Sequence, residues 1–434
     1  MSRLFSFLPH LLLACAIAVG WVSSFWKAAD SAQSESIVEA RIDESEDLKT
    51  YKNVIDEYDA AIAAHPDDIE WYKRKANAYH ELEWYDSYIS QCQTIMRAFP
   101  NDLWGYTKLM EYYVSESDFE NVFRLYRSLP ESMMEDEYLK SSYESFEYQY
   151  RYMSGAYEDA DPLSWGYATV GASGNRGFVN ASTRRLFDRV YEDAHSTLGD
   201  AAAVKLDGEW FLIDLAGDRI RASHDAIEDL YSPFEGRVLA KVDGKYGYYD
   251  VDLKNPTHFE YDDATSFFSG IAAVKKGEKW ALIDSNFNEI TEYKFDAVLT
   301  DYAHVCSRTG MVFAKVGKKY QLYDAQGKRV GDGEYEDARM FVAELAAVKQ
   351  GGKWGFINKQ GDVAIPCAYE GAESFNLGIA PVAKGGSWGF IDETGKMVVE
   401  PTFSWASTLS REGITLVESG KAKRYIQFYK YTLS

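Results

Sequence analysis

One column of residues recurs along nearly two thirds of this chain and limits its folds more than any other feature. An aromatic or aliphatic residue stands at Tyr157, Tyr191, Ile227, Tyr261, Phe295, Tyr335, Tyr369 and Phe403, at intervals of 34, 36, 34, 34, 40, 34 and 34 residues. Three positions on comes a small or aliphatic residue each time: Ala160, Ala194, Leu230, Ala264, Val298, Ala338, Ala372 and Ala406. A period of this length marks a supersecondary unit that cannot bury its apolar face alone and stacks on its neighbours to do so.

Each of the eight copies has the internal pattern of an antiparallel meander. A strand such as Ala346-Ala347-Val348-Lys349 leads into a tight turn, written Asp-Gly at Asp207-Gly208 and Asp243-Gly244, the pair that favours a type I′ hairpin. The next strand opens on Trp210, Tyr246, Trp280, Tyr320, Trp354 or Trp388 and ends on Asn180, Asp214, Asp250, Asp284, Asp324, Asn358 or Asp392. In four copies a glycine follows three residues later (Gly217, Gly327, Gly361, Gly395), as suits a type I turn whose Asp or Asn caps free backbone N–H groups. A third strand follows, as in Val363–Pro366 and Met397–Pro401, and a short fourth strand is expected near the opening aromatic. Alternation along the strand puts Trp354 and Phe356 on one face and Gly355 and Ile357 on the other.

The segments Lys353–Asn358 (KWGFIN) and Ser387–Asp392 (SWGFID), with Gly361 and Gly395 after them, resemble the WG-containing (KWG) β repeat common in bacterial proteins. The resemblance spans residues 157–434. Its weaker copies depart from the pattern: Arg176-Gly177 lacks the aromatic, Trp280-Ala281 and Tyr320-Gln321 lack the glycine, and Lys423-Arg424-Tyr425 is barely recognisable. Decay of terminal copies is expected where end units cap a stack. Short antiparallel sheets of constant period close into a propeller or stack as an open β-solenoid of three-stranded units; closure leaves no exposed edge, so a β-propeller is expected.

Residues 48–156 have another character, rich in Ala, Glu, Leu and Tyr. Pro66, Pro100 and Pro130 each fall just after an apolar-periodic stretch, as helix stops do. Ala76 and Tyr79 share one helix face. Tyr88, Cys92 and Ile95 share a second, and the pattern returns at Leu109, Met110 and Tyr113, then Val122, Tyr126 and Leu129. A last helix is expected through Leu139, Tyr143, Phe146, Tyr150 and Met153. Helix pairs with Pro66-Asp67-Asp68 and Pro100-Asn101-Asp102 at their ends resemble the tetratricopeptide repeat, although Trp71 and Trp104 are displaced and the third unit is shortened. The resemblance implies docking of a peptide or protein, or a stalk for the β repeats.

Ahead of the helices, Arg3 precedes an apolar run over residues 4–26, and acidic residues follow it. That asymmetry expects residues 1–29 to be a signal peptide or signal-anchor, residues 30–47 an acidic linker, and the remainder to lie outside the cytoplasmic membrane, in the periplasm or at the cell surface. The formal net charge of −22 opposes binding to nucleic acid or anionic lipid. Beyond Cys15 in the apolar run, Cys92, Cys306 and Cys367 give neither a disulfide framework nor a zinc spacing.

Chemistry-bearing motifs are missing. The seven histidines (His10, His65, His80, His195, His224, His258, His304) form no HExxH or metal-like cluster, and no GxSxG, P-loop or dinucleotide fingerprint occurs. The Asp/Asn column is read as turn caps and the Trp/Tyr column as core, not as acid–base or sugar-stacking sets. The irregular segment is the six-residue insertion of the fifth copy, Asp301 to Met311, read as a tolerated surface loop. The sequence thus describes a multidomain α plus all-β chain, non-enzymatic, with no assigned catalytic, cofactor or metal residues. Its expected role is a membrane-tethered protein-interaction scaffold. A carbohydrate-binding or glycan-acting propeller is the alternative, and a quinone-type redox propeller is disfavoured by the missing tryptophan-docking motif.

Overall fold

The computed structural model describes residues 51–153, 155–172, 174–221 and 226–431, and the chain divides into two compact units between Phe146 and Glu147. The expected signal-anchor and acidic linker lie outside the described residues. Among those described, no helix is long and apolar enough to cross a membrane.

The first unit is a succession of helices: α1 (Tyr51–Ala64), α2 (Ile69–Glu81), α3 (Tyr85–Ala98), α4 (Trp104–Ser115), α5 (Phe119–Arg127) and α6 (Glu137–Phe146). Aspartates start four of them. Asp68, Asp102, Asp118 and Asp136 each accept from a backbone N–H of the first turn, at 2.9–3.2 Å, satisfying donors the helix itself cannot pair. The faces expected from periodicity form the core, with Ala76, Cys92, Ile95, Leu109, Met110 and Val122 at most 1% exposed. Gly105 lets α4 approach α3: a Cβ there would stand 3.1 Å from the Cys92 carbonyl oxygen. The helix expected to run to Met153 stops at Phe146. Tyr150–Tyr152 instead forms a strand in the second unit, because Tyr150 packs on Phe403 and Phe428 there.

Among its described residues, the second unit contains eight antiparallel sheets, one for each copy. The seventh is representative: Gly371–Ala372, Ile379–Lys384, Ser387–Asp392 and Met397–Phe403, hydrogen-bonded in chain order. The short fourth strand is therefore the first in sequence, and the Ala column occupies it. Most of the column that opens each copy pairs with the sheet before, Ile227 excepted, which starts the first strand of its own sheet. Tyr369 pairs with Trp354 and Phe403 with Trp388, each ending the fourth strand of the sheet that precedes its copy.

The glycine of the WG pair has a backbone reason. Between Trp354 and Phe356 the strand advances two residues, while its partner advances four, from Tyr369 to Ile365. The surplus bulges over Gly355, where a Cβ would lie 2.6 Å from the Ile365 carbonyl oxygen and 2.7 Å from the Cys367 nitrogen. The same bulge covers Gly389 and Gly247. Copies with Ala281 or Gln321 at this position form three-stranded sheets, and the return segment makes only isolated bridges, Trp280 to Phe295 and Tyr320 to Tyr335.

Acidic residues brace the hairpins. Every member of the Asp/Asn column from Asn180 to Asp392 accepts, through one side-chain oxygen, from the N–H groups two and four residues on, at 2.8–3.1 Å. A second acidic set directly follows the opening aromatic. Glu192, Glu228, Asp262, Asp296, Glu336 and Glu370 accept from the hairpin glycines Gly208, Gly244, Gly277, Gly317, Gly352 and Gly386. Much of the acidity is thus structural.

Apolar packing runs from sheet to sheet. Separate clusters lie between each consecutive pair of copies, for example Phe356 and Ile365 of the sixth against Ala372, Phe375 and Val382 of the seventh. A further cluster joins the last copy to the first: Ile414, Leu416 and Tyr425 against Ala160, Leu163, Ala168 and Val170. Strand Tyr150–Tyr152 also pairs antiparallel with Ala422–Phe428, so one sheet holds both ends of the unit.

Candidate ligand pocket

Regular repeats place equivalent residues at equivalent points, so functional chemistry shows where equivalent positions differ. The position after the small column is such a place. It holds Asp161, His195, Tyr231, Thr265, Leu299, Arg339, Glu373 and Ser407, eight different residues beside a nearly uniform neighbour. Seven follow the short first strand of their sheet, Asp161 follows Ala160, which bridges to Val170, and the segments after these positions converge. Those of the first, fourth, fifth, sixth, seventh and eighth copies enclose a cavity of about 540 Å³.

The insertion of the fifth copy forms part of the wall. The surface loop expected there is not what forms: Val305, Cys306 and Ser307 are at most 1% exposed, and Val305 bridges to Ser266 of the neighbouring sheet. Apolar Ala303 and Val305 draw the loop inward, against Leu198 and Met340. His304 Nε2 donates at 2.9 Å to the Ala264 carbonyl, and its ring stacks on Tyr231, which stacks on His195, which stacks on Trp210. Burial pushes the His304 imidazole below its usual value, favouring the neutral ring. Cys306 is a buried thiol pushed by desolvation up to about 12, and it, Cys92 and Cys367 are all free.

Three arginine–carboxylate pairs surround the cavity. Arg308 Nε donates to Asp301 at 2.7 Å, Arg339 Nε to Glu373 at 3.0 Å, and Arg411 Nε to Glu412 at 2.7 Å. Burial pushes the Glu373 carboxyl up, and the Arg339 guanidinium pulls it partly back. Aromatic rings lie beneath the cations: Arg308 over Phe268, Arg339 over Trp354 and Arg411 over Trp165. Trp165 sits at φ +53°, next to Gly166, on a two-residue turn whose counterparts carry Glu235, Ser269 and Leu377. A bulky ring in this left-handed region costs about 1 kcal/mol, an expense that the turn itself does not explain.

Two of the side chains that line the cavity also hold a polar atom that is shut away from solvent without a hydrogen-bond partner, Arg308 Nη2 and Glu412 Oε2. Among the described residues, no group of three or more His, Cys, Asp or Glu side chains is arranged to hold a metal ion. The Trp/Tyr column stays out of the cavity: Trp210 and Trp354 are buried between sheets and Trp280, Tyr320 and Trp388 half-buried. None of the cavity residues was assigned from sequence. The available signal was the chemical diversity of a position adjoining a uniform column.

His195, one of those diverse positions, permits a pH prediction. Asp229 is pushed up by burial, but hydrogen bonds from His195 at 3.0 Å and the Leu230 N–H at 2.9 Å outweigh this and hold its carboxyl below the usual value. A depressed carboxyl stabilises the fold above its unfolded pKa, and the contribution disappears as pH falls through the folded value. Asp229→Asn should therefore lower stability by about 1–3 kcal/mol at pH 7, with the deficit shrinking below pH ~4. Urea unfolding of parent and variant at pH 7 and pH 3 measures this; an equal deficit at both would refute it.

Four segments of the second unit, 246–280, 322–354, 354–388 and 388–421, match the family described as WG containing repeat. No curated protein sequence matches the chain. Among solved structures, the chain is similar to a eukaryotic initiation factor (12% identity, TM-score 0.44, covering 66% of this chain and 88% of that one). It is also similar to the extracellular domain of a putative one-component system from B. thetaiotaomicron (12%, TM-score 0.34, 66% and 43%). A third similarity is to PorZ, a surface component of the type-IX secretion system of Porphyromonas gingivalis (11%, TM-score 0.31, 61% and 45%). The chain is therefore a helical unit followed by a β unit that carries WG-containing repeats.

Proposed function

We propose that this chain is an extracytoplasmic, membrane-tethered interaction scaffold that binds and does not catalyse. Its helices form an array of tetratricopeptide type carrying the protein-binding surface, and its β repeats close into an eight-bladed propeller. The observation that carries the protein-binding reading is a cluster of rings at the surface of the helical unit. Trp84 and Tyr85 are 46% and 38% exposed at the turn between α2 and α3. Tyr85 meets Tyr112 at 5.3 Å and Trp84 meets Tyr79 at 6.2 Å, so the cluster is held on rigid helices. Exposed, pre-ordered aromatic rings lose little conformational freedom on binding and are enriched where proteins dock. The 34-residue spacing of the starts of α1, α3 and α5 supports the array. Propeller closure is supported by the strand shared between both ends of the β unit. The apolar run over residues 4–26, with Arg3 before it and acid after it, supports the tether.

A photo-crosslinking residue placed at Trp84 of the full chain, in the cell that makes it, should yield one discrete protein adduct, whereas the same residue at Val363, exposed on an outer strand, should not. Equal adducts from both positions, or none from Trp84, would remove the helical surface from the proposal. Protease added outside intact spheroplasts should degrade the chain beyond the tether; full protection would overturn the localisation.

A further inference from the structure

We propose that the ring cluster at the turn between α2 and α3 takes a basic segment of a partner protein, with an arginine or lysine side chain laid on Trp84 and Tyr85 and faced by Glu83, Asp86 and Glu116. This rests on the docking role given to the helical unit above and adds the chemistry of the occupant.

The equivalent turn one repeat on shows what is unusual at this one. α3 and α5 start 34 residues apart, so Trp84 corresponds to Asp118 and Tyr85 to Phe119. The backbone is nearly the same at both: φ −87° and ψ 66° at Trp84, φ −83° and ψ 72° at Asp118. Asp118 caps α5 by accepting from the Asn121 N–H at 3.2 Å, whereas α3 starts on Trp84 with no side-chain cap. Aspartate is among the preferred residues at this position, and an indole can accept no backbone hydrogen bond there. Phe119 packs on Phe146, the ring centroids 5.0 Å apart, while Tyr85 stays 38% exposed beside His80 and Tyr112. The helix thus gives up a cap to present an indole that its own packing does not require.

Charge selects the occupant. On α5, Glu120 pairs with Arg124 at 3.0 Å; at the matching places on α3 stand Asp86 and Ser90, so this carboxylate has no cation. Glu81, Glu83 and Glu116 make no ion pair either among the described residues. No lysine or arginine occurs from Glu81 to Met96 or from Leu109 to Phe123. Lys75, over the Tyr79 ring, is already paired with Asp59, and Lys108 with Glu111. In the β unit, by contrast, acidic side chains cap turns and brace hairpins.

The free carboxylates lie close to the rings. Burial first, then Glu116, Tyr85, Asp86 and Asp118, push the Tyr112 hydroxyl up, and Tyr112 is the ring on which Tyr85 rests at 5.3 Å. Ring faces bordered by unpaired carboxylates attract a guanidinium or ammonium group and repel an acidic segment. A second copy of this chain, with its net charge of −22, is repelled as well, so the occupant is a different protein.

The test applies the purified full chain, in detergent, to an array of dodecapeptides graded from acidic to basic. Each basic peptide is repeated with citrulline and acetyl-lysine in place of arginine and lysine. Saturable binding is expected at the basic end, with the neutralised counterparts about tenfold weaker or more and the affinity falling steeply from low to high salt. Trp84→Asp separates the rings from charge alone. It restores the cap seen on α5 and adds a carboxylate, so the helical unit should melt about 4 °C higher, yet peptide binding should weaken about tenfold or more. The triple variant Glu83→Gln, Asp86→Asn, Glu116→Gln should weaken binding by a similar factor and flatten its salt dependence, while Glu344→Gln, Glu393→Gln, Glu400→Gln, all exposed on the β unit, leaves it unchanged. Should Trp84→Asp fail to fold, Trp84→Ser decides the matter. A silent array, a preference for neutral or acidic peptides, equal binding of the citrulline counterparts, or basic-peptide binding that survives loss of the indole would each overturn the proposal. A discrete adduct from position 84 in cells, together with any of these, would leave the docking reading standing and this one refuted; no adduct and a silent array would refute both.

Discussion

Replacing Gly355 with valine should destabilise the β unit by more than about 3 kcal/mol, the range reserved for substitutions that force backbone to move. The atoms a Cβ would meet are backbone, the Ile365 carbonyl oxygen at 2.6 Å and the Cys367 nitrogen and Cα at 2.7 and 2.8 Å. No rotamer change relieves them. The bulge itself must lift, breaking the pairing of Val363–Tyr369 with Lys353–Asn358. That strand carries Ile365 into the cluster between the sixth and seventh sheets, so the damage should spread to the inter-sheet packing. The fourth copy provides the comparison. Its residue at the same position is Ala281, fully buried in a three-stranded sheet without the bulged partner, so Ala281→Gly should cost only about 1 kcal/mol. Calorimetry of the full chain measures both, with the helical unit as internal reference. A β-unit transition unmoved in Gly355→Val would show that the bulge does not depend on the glycine.

That contrast also marks how far the sequence could be read. The Tyr157-to-Phe403 column gave the number of sheets, because a 34-residue period can only come from one repeated unit. The Asp/Asn column was legible as turn caps since Asx geometry is local, set by the residue and its next four neighbours. What was missed depends on distance in space. The sheet boundaries fall after the opening aromatic and not before it, because Tyr369 is drawn to Trp354, fifteen residues back, by a pairing that alternation alone does not specify. The stretch from Tyr150 to Met153 keeps helical spacing with Phe146, but its partners, Phe403 and Phe428, lie more than 250 residues away. The insertion at Asp301–Met311 is polar enough to read as surface, yet Ala303, Val305 and Cys306 give it an inward face whose acceptor is assembled from several copies. One cavity pair follows the same rule: Arg339 and Glu373 stand 34 residues apart, one repeat, and become neighbours only once the sheets stack.

The joint between the two ends of the β unit should prove equally sensitive. Arg151→Pro is expected to cost about 2–4 kcal/mol, since proline removes an amide from the short strand that pairs with Ala422–Phe428 and constrains its backbone. Arg151→Ala separates backbone from side chain. It loses the hydrogen bond from Arg151 Nη2 to Gln427 Oε1, at 3.1 Å, and the contact with the Tyr429 ring, but keeps the amide, so about 1 kcal/mol is expected. The joint has few residues, yet much converges on it. Met153 donates to the Tyr425 carbonyl, Tyr157 and Lys423 exchange two backbone bonds, and Lys423 pairs with Asp159 at 2.8 Å. The cluster of Ile414, Leu416 and Tyr425 with the first copy lies directly behind. On the closure proposed above, opening this joint exposes both faces it covers. Hydrogen exchange in Arg151→Pro should therefore accelerate together in Ala422–Phe428 and in the first sheet, Tyr167–Val170 and Gly177–Asn180. Acceleration confined to Ala422–Phe428, with the first sheet as protected as in the parent, would mean that the packing of the last copy on the first does not depend on this strand.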